Sequence, residues 1–391
     1  MQGGDKTGSY TLMLAASTVM VAATLAQPIF PLFIRSLGAT TPQVGLLLSL
    51  KTFLPLILRI PLSFLGERLG KKRMIIGSLL ILSTAALMYS IATSFILLVV
   101  VVIYESLSSA SNQFLMATVS DLSPRDQQGD AMGRYLTFLG LGMLLGPALC
   151  SLLVDQIGYS GLYLTASVFP FIGIALVFMG AKGLTESESI NLESSHPSAR
   201  ESLRMIFTNR NVLLLSYCRT SFATSQNLIL TLFPLYASDI LGYSDSTVAL
   251  LFTVRGLSNT LVRFPAGKLS DRVGRKKPMI FAYALLIVAF GLTATVKDYN
   301  LLIAAFALYG FSWGMRAVSE WAFLTDLVEP EIKTLSISYL SSIFSLGSTL
   351  GSITAGTLAT MMPYTSIFMI AAALMVPPIP VITAMKKESG E

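Results

Sequence analysis

Charge is what this chain most lacks. Lys, Arg, Asp and Glu supply 12% of its 391 residues and 53% are hydrophobic, whereas a soluble domain is about 25% charged. So few polar groups cannot cover a water-facing surface on a chain this long, and most of that surface must meet lipid. Cysteine and histidine are scarce too. Cys150 and Cys218 sit inside apolar runs and the single histidine, His196, stands beside Pro197 in a polar stretch. That excludes a disulfide framework and a metal site built from those ligands. There is no phosphate-binding P-loop and no catalytic constellation. No cofactor and no enzymatic activity are therefore expected, and energy for any work must come from a gradient. The net charge of +6 is not a nucleic-acid signature. The cations fall in short clusters between apolar runs, without a basic face interleaved with aromatics.

What is present is a succession of apolar runs. A helix crosses the hydrocarbon core with about 20 residues, and without water the backbone must satisfy its own hydrogen bonds, so such runs must be helices. Breaking the chain at charge clusters and at Gly and Pro predicts twelve: 10–34, 43–65, 74–93, 95–120, 132–154, 161–181, 211–237, 246–267, 278–296, 299–325, 334–359 and 364–385. The first is too long for a signal-peptide core of about 7–15 residues and reads as a span.

Lys and Arg orient them. Nineteen lie in one set of connections and the two termini, among them Arg68, Lys71, Lys72, Arg73, Arg272, Arg275, Lys276 and Lys277; the opposite set holds only Arg35 and Lys297. The positive-inside rule places the first set, and both termini, in the cytoplasm of a multi-pass cell-membrane protein. A Ser/Glu-rich polar stretch at 182–210 separates residues 1–181 from 211–391 and reads as a cytoplasmic linker between two six-helix units. Its end, from Pro197 to Asn209, is expected either to remain linker or to form an interfacial helix with Leu203, Ile206 and Phe207 toward lipid.

The two halves repeat. The stretch Arg59, Pro61, Leu65, Glu67, Arg68, Gly70, Lys71 aligns without gaps, at an offset of 204, with Arg263, Pro265, Leu269, Asp271, Arg272, Gly274, Arg275. Lys51 meets Arg255 and Gly38 meets Gly242 at the same offset, and Asp121 meets Asp326 at 205. Duplicated six-helix units suit a carrier, because alternating access rocks two related bundles about a site.

The second copy, Gly267-Lys-Leu-Ser-Asp271-Arg272-Val-Gly274-Arg275-Lys276, resembles the signature loop of the major facilitator superfamily, and the span count, linker and cytoplasmic ends agree over nearly the whole chain. The first copy departs at Ser63 and Glu67, where Gly and Asp are usual. The resemblance implies an all-α fold of twelve spans in two pseudo-symmetric six-helix bundles. It implies a cytoplasmic gate in which the loop residues bridge to Asp121 and Asp326, with Arg59 and Arg263 at its edge. Gly267 would permit close helix approach and Gly274 a tight turn. The fifth run carries Gly142, Gly146 and Pro147, similar to a motif of cation-coupled exporters that allows close packing and a bend. The pattern is partial: Cys150-Ser151 follows it, and Val101 and Glu105 replace the arginine and glycine usual in the fourth run.

Charged groups near midplane are expensive and functional by default. These are Lys51, Glu105, Arg255, Arg316 and Glu320, the last two one helical turn apart. Arg219, Arg59 and Arg263 lie nearer the cytoplasmic ends, where snorkelling or the gate accounts for them. Glu105 is the candidate proton carrier, since its repeat-mate is Gly310; a fixed ion pair is the alternative. Lys51, Arg255 and Arg316 suggest a cationic cavity for an organic or phosphorylated anion, with Gln27, Asn112, Gln226, Asn227 and Trp313 as further lining. The expected activity is proton-coupled transport of a small organic solute, similar to drug or metabolite efflux, by a monomer in the bilayer. An anion carrier is the first alternative. A non-transporting sensor or scaffold is the second, and substrate-induced proton flux separates it from a carrier.

Overall fold

A computed structural model describes residues 6–123, 128–180, 199–329 and 332–385. Among these, every regular element is a helix: α1 (Lys6–Leu25), α2 (Phe30–Ser36), α3 (Thr41–Leu69), α4 (Lys71–Ser90), α5 (Phe95–Ser106), α6 (Ser111–Asp121), α7 (Gln128–Gly180), α8 (Ala199–Thr208), α9 (Arg210–Asp239), α10 (Asp245–Val273), α11 (Lys276–Thr295), α12 (Tyr299–Leu327), α13 (Lys333–Leu358), α14 (Tyr364–Ala373) and α15 (Pro378–Ala384). These make twelve passes. The first is broken at Gln27–Ile29, where Pro28 opens a 3-10 turn; the fourth is broken between α5 and α6; and the last is broken at Pro377. The long α7 is two passes joined at Gly158, whose φ of 64° interrupts the helix.

Eight segments are long and apolar enough to cross a membrane by length and composition alone, one of them the double pass Asp130–Gly180. The helices α9, α10 and α13 fall outside that set. They have the length, but their polar content is high. Much of it is absorbed locally: in α9, Ser216 donates to Val212 O (2.8 Å) and Thr220 to Ser216 O (2.9 Å), while Ser221 donates to Leu374 O (2.6 Å) next to α14. Composition thus undercounts spans whose polar side chains bond back to helix carbonyls.

The chain divides into two compact units. The first comprises Met1–Ala39, Phe53–Asn191 and Gly242–Thr253; the second comprises Thr40–Thr52, Leu192–Leu241 and Val254–Glu391. The start of α3 therefore belongs with the second unit, where Thr52 and Thr349 share a hydrogen bond (2.9 Å). The start of α10 belongs with the first, where Ser246 N donates to Asp155 on α7 (3.2 Å). Most of the expected linker, 181–198, lies outside the described residues. Its end does form a helix, α8, but Ile206 is fully buried in protein, while Phe207 is exposed and meets Tyr339 edge-on at 5.5 Å. Asn209 then caps α9, accepting from Asn211 N and Val212 N.

The duplication is visible in the backbone. Gly38 and Gly242 have φ of 82° and 69°, and Gly70 and Gly274 both have 85°. Each pair is 204 residues apart. Side chains avoid that region, and glycine enters it at no steric cost. Gly70 and Gly274 make the turns α3–α4 and α10–α11.

Lipid gives packed helices no hydrophobic gain over lipid itself, so they associate by close contact at small residues. In the first unit a Cβ on Gly142 would lie 2.6 Å from Ser17 O, and one on Gly146 would strike the Thr24 side chain. These positions seat α7 on α1. In the second unit, a Cβ on Gly347 would lie 2.8 Å from Ala223 Cβ, and one on Gly351 would strike Thr224 O, seating α13 on α9. Each crossing has the same polar stitch: Thr24 donates to Gly142 O (3.2 Å) and Thr224 to Gly347 O (3.1 Å). Gly267 does not behave this way. A Cβ there would meet only Val318 at 3.7 Å, ordinary contact, so the expected close approach lies elsewhere, on α12 at Gly310 and Gly314. Large apolar side chains at repeat-equivalent positions, Ile57 with Leu261 and Ile60 with Phe264, are exposed. Lipid is the solvent that suits them.

Replacing Gly146 by Leu forces side chain into α1 and is expected to lower stability by about 1–3 kcal/mol. Gly77→Ala and Gly291→Ala, where nothing lies within 4 Å, should leave it unchanged; thermal unfolding in detergent measures all three.

Candidate functional site

In the first unit, Ser94 caps α5 by accepting from Leu97 N (3.3 Å), and the helix ends one residue after Glu105. The half-buried Glu105 accepts a hydrogen bond from the Tyr89 hydroxyl of α4 at 2.7 Å. Tyr89 stacks on Tyr163 of α7 (4.9 Å, 30°) and meets Phe30 edge-on at 5.7 Å. A carboxylate is thus gripped by a neutral phenol inside an aromatic cluster. Tyr89 and Tyr163 lie in long apolar stretches with nothing in the sequence to single them out. Gln27 is exposed at the break of the first pass. Asn112 opens α6 with its carbonyl accepting from Tyr135 (2.9 Å), and its buried side-chain oxygen is unmatched among the described residues.

The second unit holds a denser arrangement. Glu320 of α12, with no exposed surface, forms ion pairs with Arg316, one turn earlier, and with Arg219 of α9; both arginines are buried. Arg316 lies over the Phe222 ring at 3.8 Å, and Arg219 over Trp321 at 4.3 Å and Phe344 at 5.2 Å. Cations on ring faces in a dry setting gain about 2 kcal/mol or more. Two guanidiniums share one carboxylate, leaving a net +1. Among the described residues, the Nε atoms of both arginines and the neighbouring Ser319 hydroxyl have no hydrogen-bond partner. Donors here outnumber acceptors.

Arg219 corrects the sequence reading. It is buried in protein and paired with Glu320 of α12, neither at the lipid surface nor in the gate. The partner that holds it, Glu320, comes from another helix, and sequence spacing does not show it.

Arg255, also buried, lies over Tyr309 and Trp313, each 5.4 Å from its guanidinium carbon. The absence of a side chain at Gly310 is explained here: a Cβ would collide with the Arg255 carbonyl, so α12 crosses α10 in backbone contact. Lys51 is half-buried on the part of α3 that belongs to this unit. Gln226 is buried, its oxygen unmatched among the described residues. Asn227 instead serves packing: its amide donates to Ala223 O (2.9 Å), and its oxygen accepts from Ser352 of α13 (3.5 Å).

At the end carrying the basic loops, Lys71 pairs with Asp121 in the first unit, and Arg275 pairs with Asp271 and with Asp326 (2.9 Å) in the second. The hydrogen bond to Asp326, then that to Asp271, holds Arg275 above the ordinary guanidinium value. These are repeat-equivalent clasps between a turn after one helix and the end of another. Arg263 is not part of its clasp; it donates to Asn259 one turn earlier (2.9 Å), which in turn donates to Gly310 O (3.4 Å). Arg59 is half-buried, Arg68 and Arg272 are exposed, and the Glu67 side chain lies outside the described residues.

A family model described as Major Facilitator Superfamily matches residues 12–245 and 215–383. An uncharacterized MFS-type transporter of Methanocaldococcus jannaschii is 23% identical over 88% of this chain and 86% of its own. The multi-drug resistance efflux pump PmrA of Streptococcus pneumoniae is 22% identical over 88% of this chain and 87% of its own. The quinolone resistance protein NorA of Staphylococcus aureus is 22% identical over 81% and 76%. Among solved structures, the nucleoside transporter NupG superposes with a TM-score of 0.79 at 14% identity, covering 97% of this chain and 100% of that one. An inward-facing bacterial homolog of the human lysosomal transporter Spinster superposes with 0.72 at 17%, covering 97% and 96%. Matched in both halves by the family model and along its length by carriers of the same fold, the chain belongs to the Major Facilitator Superfamily.

Proposed function

We propose that this chain is a proton-coupled exporter of small amphipathic organic solutes that carry an acidic group. It works by alternating access in the cell membrane with both termini cytoplasmic. The observation that carries the reading is the fully buried Glu320 shared by Arg219 and Arg316. Burying three charges within the membrane is costly, and a net cation with unmatched guanidinium donors is a poor structural device but a ready receiver for a carboxylate or phosphate. Phe222, Trp321 and Phe344 supply aromatic faces for an apolar body. Arg255 with Trp313 adds a second cation of the same kind. The export direction is supported by the relatives whose names describe an efflux pump and quinolone resistance. Glu105 is the proton carrier in this scheme, supported by its place beside Tyr89 at the end of α5, where the other half has only glycine.

Glu320→Gln leaves two buried guanidiniums without their counter-ion, which costs about 3–5 kcal/mol. Its unliganded melting temperature should fall, and organic anions should restore stability more strongly than in the parent protein. Neutral and cationic analogues should do neither. Equal stabilisation by cations would overturn the acidic-solute assignment.

Glu105→Gln is expected to reduce substrate-driven proton flux in proteoliposomes to that of empty vesicles while substrate-for-substrate exchange continues. Proton flux that persists in this variant would remove Glu105 from the coupling scheme.

A further inference from the structure

The second unit holds one buried donor that its own packing leaves unused. Tyr236 of α9 is 2% exposed, and its hydroxyl has no hydrogen-bond partner among the described residues. Its ring is fixed edge-on by Tyr364 (6.3 Å, 74°) and Phe368 (5.5 Å, 85°), so the hydroxyl is held in place rather than left to find a partner. A buried donor without an acceptor costs stability. Tyr236 lines a cavity of about 420 Å³ at the end of the unit opposite the basic loops. The walls come from three places at one level: Tyr236 and Ile240 at the close of α9, Lys297 in the α11–α12 turn, and Ala359 with residues 362–365 between α13 and α14. The volume falls within the range of small-molecule sites, about 300–1,000 Å³.

The charges around this cavity are already engaged. Lys297 and Tyr364 in its wall, and Asp239 beside Ile240, each have an interaction of their own. Asp298 accepts from Leu301 N at 3.0 Å to cap α12. A ligand of either sign therefore gains little here. Ile240, Ala359, Met362 and Pro363 make much of the remaining wall apolar. One neutral hydroxyl donor in such a wall suits an uncharged acceptor attached to an apolar body. Beside the cavity the apolar surface continues outward, with Ile240 59% and Met361 80% exposed.

We infer that this cavity holds the glycerol ester region of a diacyl membrane lipid, the Tyr236 hydroxyl donating to an ester carbonyl and the acyl chains running out over Ile240 and Met361. The level fits, because ester carbonyls lie between headgroup and hydrocarbon, where Tyr is enriched at the ends of spanning helices. Recognition is then of the ester linkage and is indifferent to headgroup charge. The site is separate from the Arg219–Glu320–Arg316 cluster and does not rest on the proposed transport reaction.

The full-length protein in detergent tests this when titrated with diester phosphatidylcholine, its diether analogue with the same chains, and diester phosphatidylglycerol. Native mass spectrometry reads the bound lipid and thermal unfolding its effect. Both diester lipids should bind alike, and the diether lipid about five-fold more weakly, the equivalent of one neutral hydrogen bond. Tyr236→Phe should bind diester and diether lipids alike, at the weaker level. Because the Tyr236 hydroxyl makes no hydrogen bond to the described residues, this variant should melt no lower than the parent protein when lipid-free, which separates loss of binding from loss of fold. Diether lipid bound as tightly as diester would overturn the carbonyl contact. A clear preference for phosphatidylglycerol would overturn the neutral character of the site, and an ester preference that survives in Tyr236→Phe would place the lipid elsewhere.

Discussion

Hydrocarbon completes no hydrogen bond and solvates no charge, and the architecture of this protein follows from that. Each backbone donor and acceptor must be matched within its own helix or at its cap, which is why Ser94, Asn209 and Asp298 stand at helix starts and why Ser and Thr along α9 and α13 bond back to carbonyls. The same solvent removes the usual hydrophobic reason for helices to associate. Contact must then be won by proximity, and the glycines on α7, α12 and α13 supply it.

Charges within such a solvent exist in company or not at all. Glu320 meets two arginines and their aromatic neighbours; Glu105 meets a phenol in a stack of rings. The two halves, built from one duplicated plan, have placed their carboxylates differently. One is fully buried between two guanidiniums; the other is half-buried at the end of α5, with the Tyr89 hydroxyl donating to it.

Much of the fold was legible in the sequence. Run length, charge clusters and the 204-residue repeat define twelve passes, and the resemblance to the superfamily implied that the loop cluster would bridge to Asp121 and Asp326, which Lys71 and Arg275 do. The helix breaks at Gln27–Ile29 and Gly158 are marked by Pro and Gly. The break after Glu105 is not, since Leu107–Ala110 contains neither. Pairings across helices were less legible. Arg316 with Glu320 follows from helical periodicity, but Arg219 joins them from another helix, where sequence spacing carries no information. Gly267 fits its motif yet a Cβ there would make only ordinary contact with Val318, while Gly310 fits none and lies in backbone contact at a crossing. A motif records which residue recurs; it does not record which neighbour has come close.

The interruption between α5 and α6 divides the fourth pass into segments of 12 and 11 residues, whereas its counterpart α12 runs unbroken for 29. Tight turns carry the chain across that interruption, Leu107 N donating to Tyr104 O and Ser108 N to Glu105 O, so the acid sits where the helical ladder changes its register. The counterpart position, Gly310, lies inside an uninterrupted helix and uses its lack of a side chain for backbone contact with α10. Equivalent places in a duplicated plan have thus been given over to a polar group in one half and to bare proximity in the other.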